Sequence, residues 1–409
     1  MSPTPLDLRS YVAEKRAELA TQTADPAFPP SEYKSRLDSL RAAMADSGID
    51  LLLLTSPEAI CWLHGFTCRW NKVYTSSAWP ALQTTAVHVN HDRFIVFESG
   101  DHAHTLRLTS ISTDNRFFDV YDAEGMIAFI MRELAAEGWL RGVVGLEKQS
   151  PVPSPYLSQA VEEKLVSSGL RVVDAGKLTR DVRRIKSPLE LEAIREAARI
   201  CDVGLDALAR VLKPGVTELE CWAEMVHAMA AEGGEPGAMH ETVSPLGAGY
   251  TISSRRTFEA GQYLFADPTG VYHRYHANIA RTFWLGEPTR EALRLADIEA
   301  GSFDVLRTTA KAGTPVRDVN RALREYYEEA GVSGLGWAGG YELGIAFPPD
   351  KVGEFLFEVD EETPEAVIEA GMVTNFENLM HVINIDTVVY EADGARTLSR
   401  KPFDIVVVD

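Results

Sequence analysis

Residues 265 to 286 read FADPTGVYHRYHANIARTFWLG, two apolar runs flanking a polar middle that holds Asp267, His273, His276 and Asn278. A second carboxylate, Glu377, stands in the apolar context VTNFENLM, where an unpaired charge is costly to bury and therefore points to a function. Two carboxylates facing one cleft repel each other, so one of them should hold a proton at neutral pH. Such a pair can activate water or attack directly, and His276 can protonate a leaving nitrogen. If the stretch is a hairpin in which Asp267 faces Asn278, alternation puts Thr269, His276 and Ala280 on that face and turns His273 and Tyr275 away. Asn278 and Tyr341 can add neutral hydrogen bonds, and the acidic pair can bind a cationic nitrogen compound. Which carboxylate attacks stays open at this point.

The segments that must position these groups have clear signatures. Helical spacing at Leu37, Leu40 and Met44 predicts a helix over 32–48. IDLLLLTS, TTAVHVN, DRFIVFES, RGVVGLE and LRVVDAG then read as strands separated by helical stretches, an α/β domain over 32–180 that follows a polar lead-in at 1–31. Ser187, Pro188 and Glu190 form a capping-box signature that opens a second domain, 181–409. KPGVTE at 213–218 and KAGTPV at 311–316 each precede a helix, which suggests a duplicated unit with halves at 218–286 and 316–409. The expected fold class is α+β: one curved antiparallel sheet with pseudo-two-fold symmetry, helices on its outer face and the cleft on its concave side.

The totals narrow the function classes. A chain of 409 residues that is 45% hydrophobic can bury a sizeable core. A net charge of −20 argues against nucleic acid and anionic membrane surfaces as partners. Cys61, Cys68, Cys201 and Cys221 show no paired spacing and read as free thiols. No run reaches the roughly 18 apolar residues of a membrane span, and a cytoplasmic protein is expected.

Five motifs in order carry a family resemblance. Lys186-Ser187-Pro188 with Glu190 and Ala197, FEAGQYLFADPTG, ANIARTFWLG, GGYELGIAFPPD and IEAGMVTNFEN resemble the pita-bread hydrolases, the family of methionine aminopeptidase, prolidase and creatinase. ICWLHGF and the strands after it resemble the creatinase and prolidase N-terminal domain. The metal-dependent members bind two cations through Asp, Asp, His, Glu and Glu. The resemblance puts these at Asp267, Asn278, Tyr341, Glu377 and Ile385, so three of the five ligands are replaced. It implies no dinuclear metal and no cofactor, and directs attention to the metal-free branch that contains creatinase and ectoine hydrolase, which cleaves non-peptide C–N bonds of small nitrogen compounds. Creatinase's own glutamate and paired histidines correspond to Ala280, Tyr250 and Pro348, so its chemistry is not implied. Tyr250 and Glu342 are expected at the substrate. The segment CRWNKVYTSSAWP, 68–80, resembles a lid that reaches a neighbour's site, which implies a homodimer in which Arg69, Trp70 and Tyr74 contact the substrate. A lyase on the same scaffold, or a binding module without catalysis, are the alternatives.

Overall fold

The computed structural model describes residues 7–67, 80–245, 252–360 and 366–408. They form two compact units, Met1–Val182 and Arg183–Asp409. The first is built on a six-stranded sheet in the order Asn115–Phe117, Phe94–Glu98, Thr84–His88, Leu51–Leu54, Val143–Leu146, Arg171–Asp174. Leu51–Leu54 lies inside the sheet, parallel to Val143–Leu146, and is buried along its whole length, which is why its sequence is a continuous apolar run without alternation. Leu51, Leu53, Ile95, Phe97, Ile130 and Trp139 belong to the core beside it. Five strands follow the apolar runs; the sixth, Asn115–Phe117, is short and carries no such run. Within the polar lead-in, Asp7 caps a helix, Leu8–Ala20, that buries none of its residues and so shows no apolar period.

The second unit opens at the expected capping box. Ser187 Oγ accepts from the Glu190 N–H and Glu190 Oε2 accepts from the Ser187 N–H at 2.8 Å. The helix that follows, Pro188–Val211, buries Ile194, Ala197, Ala198, Cys201 and Leu205. It packs closely on the strand Thr269–Tyr272 because residue 270 is glycine, where a Cβ would stand 1.9 Å from the Ala197 carbonyl oxygen.

The stretch from Phe265 to Gly286 forms more than one hairpin. Tyr263–Asp267 ends at Pro268; Thr269–Tyr272 and Tyr275–Asn278 then pair with each other, and Arg281–Leu285 returns to Tyr263–Asp267. The two turn residues, His273 and Arg274, both have positive φ, 51° and 65°, the twist that a two-residue hairpin needs. Arg274 is fixed there by Glu235, by the Pro236 and Ala346 carbonyls and by the face of Phe347.

The expected curved sheet is present as two ladders. One runs Val406–Val408, Arg281–Leu285, Tyr263–Asp267, Thr242–Ser244; the other runs Leu356–Glu358, Trp337–Tyr341, Val373–Leu379, Ile383–Tyr390, Ala395–Thr397. They meet at a reciprocal backbone pair, Ala280 N to Ile385 O at 3.0 Å and Ile385 N to Ala280 O at 3.1 Å. The first ladder is not wholly antiparallel, because the C-terminal strand Val406–Val408 runs parallel to Arg281–Leu285. Among the described residues Cys61, Cys201 and Cys221 are buried, and no helix is long and apolar enough to cross a membrane.

Candidate active site

Asp267 closes one strand, Asn278 closes another, and Glu377 and Tyr341 come from the second ladder, so the junction between the ladders brings all four together. Asn278 Nδ2 donates to Asp267 Oδ1 at 2.6 Å. Asn278 Oδ1 accepts from the Tyr341 hydroxyl at 3.2 Å and from Asn375 Nδ2 at 3.0 Å. The same Asn375 amide donates to Glu377 Oε1 at 2.5 Å, while Asn375 Oδ1 accepts from the Tyr341 N–H at 2.8 Å. The two carboxylates are thus tied through two side-chain amides. Thr387 Oγ1 accepts from the Asn278 N–H at 2.8 Å and donates to its carbonyl at 3.0 Å, which fixes the middle of the chain of bonds.

Asp267 and Glu377 are half-buried. Burial, and then the Asp267 charge, push Glu377 up to about 7, with Lys351, Tyr341 and Asn375 pulling the other way. Burial also raises Asp267, opposed by the Lys351 charge and the Asn278 hydrogen bond. Burial and the carboxylates raise the Tyr341 hydroxyl well above its ordinary range, so it remains a neutral phenol.

Two expected roles are corrected. His276 is fully buried, and both ring nitrogens are occupied by backbone: Nε2 accepts from the Ala238 N–H at 3.0 Å, and Nδ1 is 2.9 Å from the Arg274 carbonyl, to which it donates. Burial, and then Arg274 and Lys351, hold its pKa well below the usual value. A protonated ring would turn an N–H against the Ala238 N–H, so His276 is a neutral brace for the 235–238 loop and no donor to a leaving nitrogen. Glu342 is likewise taken: alternation along the strand turns it from the Tyr341 face, and its carboxylate accepts from buried Lys186 Nζ at 2.5 Å. Tyr250, Arg69 and Trp70 lie outside the described residues.

Two residues of the site escaped the sequence. Asn375 is two positions before Glu377 on one strand and shares its face, so alternation alone could have found it. Lys351, whose Nζ donates to Thr269 Oγ1 at 2.7 Å, comes from a loop with no periodicity to reveal it.

The donor set does not fit the two-metal centre of the family it resembles. Ile385 sits directly across from Glu377 in the ladder, and it packs with Phe265, Ala280 and Ile383 as hydrocarbon. Asn278 points its NH2 group at Asp267, and Tyr341 is a neutral phenol. A single cation on Asp267, Glu377 and His276 fits no better, since the imidazole lone pair already accepts from the Ala238 N–H.

Comparison with known proteins agrees with this architecture. Residues 192–397 match the metallopeptidase family M24, and residues 36–185 match the creatinase/prolidase N-terminal domain. The ectoine hydrolase of Halomonas elongata is 28% identical over 367 residues, covering 85% of this chain and 89% of its own. An uncharacterised peptidase of Bacillus subtilis is 22% identical over 91% of this chain and all of its own. Among solved structures, the X-Pro aminopeptidase of Thermotoga maritima superposes with a TM-score of 0.73 at 19% identity, over 91% of this chain and 99% of its own. The dipeptidase PepE of Mycobacterium ulcerans gives 0.73 at 20%, over 93% and 99%. The chain is a member of metallopeptidase family M24, a pita-bread domain preceded by a creatinase/prolidase N-terminal domain.

Proposed function

We propose that the chain is a metal-independent hydrolase that cleaves a non-peptide C–N bond of a small nitrogen compound. The observation that carries this reading is the hydrogen-bonded series Asp267–Asn278–Asn375–Glu377, which holds two carboxylates in one cleft where relatives hold metal ligands. The likeness to an ectoine hydrolase supports the non-peptide substrate. With Glu377 pushed up to about 7, a substantial share of the molecules hold its proton at neutral pH. Asp267, aimed by the Asn278 amide, takes a proton from the attacking water. Glu377, aimed by the Asn375 amide, gives its proton to the departing nitrogen, and Tyr341 hydrogen-bonds beside it. Asp267 then holds the proton taken from water and Glu377 has lost its own, and proton exchange with solvent resets the pair. The substrate site is proposed to be completed in a homodimer by the 68–80 segment of a second copy.

Turnover of a panel of small amides, cyclic amidines and guanidino compounds in water enriched in oxygen-18 tests the reaction class. Hydrolysis puts one labelled oxygen into the carbonyl-derived product; a product free of label, with an unsaturated carbon skeleton, marks a lyase and defeats the reading.

A further inference from the structure

The second unit buries two lysines, and they are treated differently. Lys186 is ion-paired with Glu342 at 2.5 Å. Lys351 is 3% exposed, and its ammonium makes one hydrogen bond, to Thr269 Oγ1, with no ion pair among the described residues. An ammonium carries three donors, so two remain unused, and an unpaired buried charge is strongly unfavourable unless something completes it. The Lys351 charge also opposes the raised pKa of Asp267, Glu377 and Glu241. Its anchor, Thr269, is paired across the hairpin with Asn278, at the centre of the hydrogen-bonded series. Asp350 accepts from the Lys351 N–H at 2.6 Å and fixes the loop from which the side chain enters.

We propose that Lys351 is the specificity-determining residue of this cleft, its ammonium binding a carboxylate on the substrate. This rests on the cleft being the hydrolase site proposed above and narrows its substrates to small nitrogen compounds that carry an acid group. The unused donors of Lys351 take the carboxylate, and the acidic wall of Asp267, Glu377 and Glu241 faces the nitrogen end. A guanidinium or amidinium without an acid group meets the acidic wall but leaves the ammonium unpaired and is repelled by it.

The test uses pairs of probes: N-acyl amino acids and cyclic amidine carboxylic acids, each with its uncharged carboxamide. Wild-type protein is expected to prefer the acid of each pair. Lys351→Met should lower kcat/KM for the acid about 10- to 100-fold, mainly through KM, the scale of a hydrogen bond to a charged group. The carboxamide should lose less, since it feels only the altered charge beside Asp267 and Glu377, so the acid-to-carboxamide ratio of kcat/KM should fall, and Lys351→Arg should restore part of the preference. Equal losses on acid and carboxamide, or no loss on either, overturn the proposal. If wild-type protein turns over no probe, the hydrolase reading fails, and calorimetric titration of the same pairs still decides the role of Lys351. Tighter binding of the acid that is lost in Lys351→Met supports it, and no difference between acid and carboxamide overturns it. Thermal unfolding of each variant shows whether it is folded, and Lys351→Arg, which keeps the buried charge, decides the outcome if Lys351→Met is not.

Discussion

Glu377→Gln is expected to lower kcat by about 10²- to 10⁴-fold, the usual contribution of a positioned proton donor, with the fold intact. The glutamine keeps the shape and can still accept from Asn375 Nδ2, so the series Asp267–Asn278–Asn375 survives while the transferable proton is lost. The pH dependence follows from the same residue. Because the protonated form is the reactive one, wild-type kcat should fall as pH rises through about 7. Stability carries a matching signature. The native state holds the Glu377 proton more tightly than the unfolded chain, so the stability it contributes is full below the ordinary glutamate value. That contribution is lost as pH rises through about 7. Urea denaturation at pH 5 and pH 8 should show a smaller loss on going to the higher pH in Glu377→Gln than in wild type, and an unchanged difference would remove Glu377 as the raised group.

Arg281→Met is expected to destabilise the second unit by about 3–5 kcal/mol, the cost of breaking a buried ion pair. Arg281 is fully buried, and its guanidinium donates to Asp386 Oδ2 at 2.7 Å, to the Ile385 carbonyl at 2.7 Å and to the Pro402 carbonyl at 2.8 Å, while stacking on Phe403. It therefore clamps the junction where Ala280 and Ile385 join the two ladders. Burial raises Asp386, and Arg281 is the main group opposing that rise, so its removal leaves a carboxylate buried without its cation. The double variant Arg281→Met with Asp386→Leu should regain part of the loss in urea denaturation. A single variant within about 1 kcal/mol of wild type would show that the clamp is not what holds the ladders together. Since Asn278 and Glu377 lie on either side of this junction, the single variant should also lose activity.

What the sequence made legible was whatever is local and periodic. The capping box at Ser187 and Glu190 and the buried strand Leu51–Leu54 were readable because caps and apolar runs are written in consecutive residues. Asp267, Asn278, Glu377 and Tyr341 were placed in one cleft by motif order, and the structure brings them within hydrogen-bonding distance. His276 was misjudged because strand alternation gives a face and says nothing about backbone donors from elsewhere; the Ala238 N–H arrives from a loop 38 residues away. Glu342 was placed at the substrate by the resemblance, which does not reveal a partner such as Lys186, 156 residues earlier. Lys351 gave no signal at all, since a loop lysine reads as solvated until the fold buries it. The parallel return of Val406–Val408 was hidden because a three-residue terminal strand has too few residues to show a direction.

The most direct measurement is turnover of the carboxylated amide and amidine panel before and after exhaustive chelation, with metal content determined on the same sample. If Asp267 and Glu377 perform the reaction as an acid–base pair, kcat/KM is unchanged in metal-free protein and addition of divalent cations has no effect. Activity that disappears on chelation and returns with a divalent cation would mean that the cleft works as a metal centre after all.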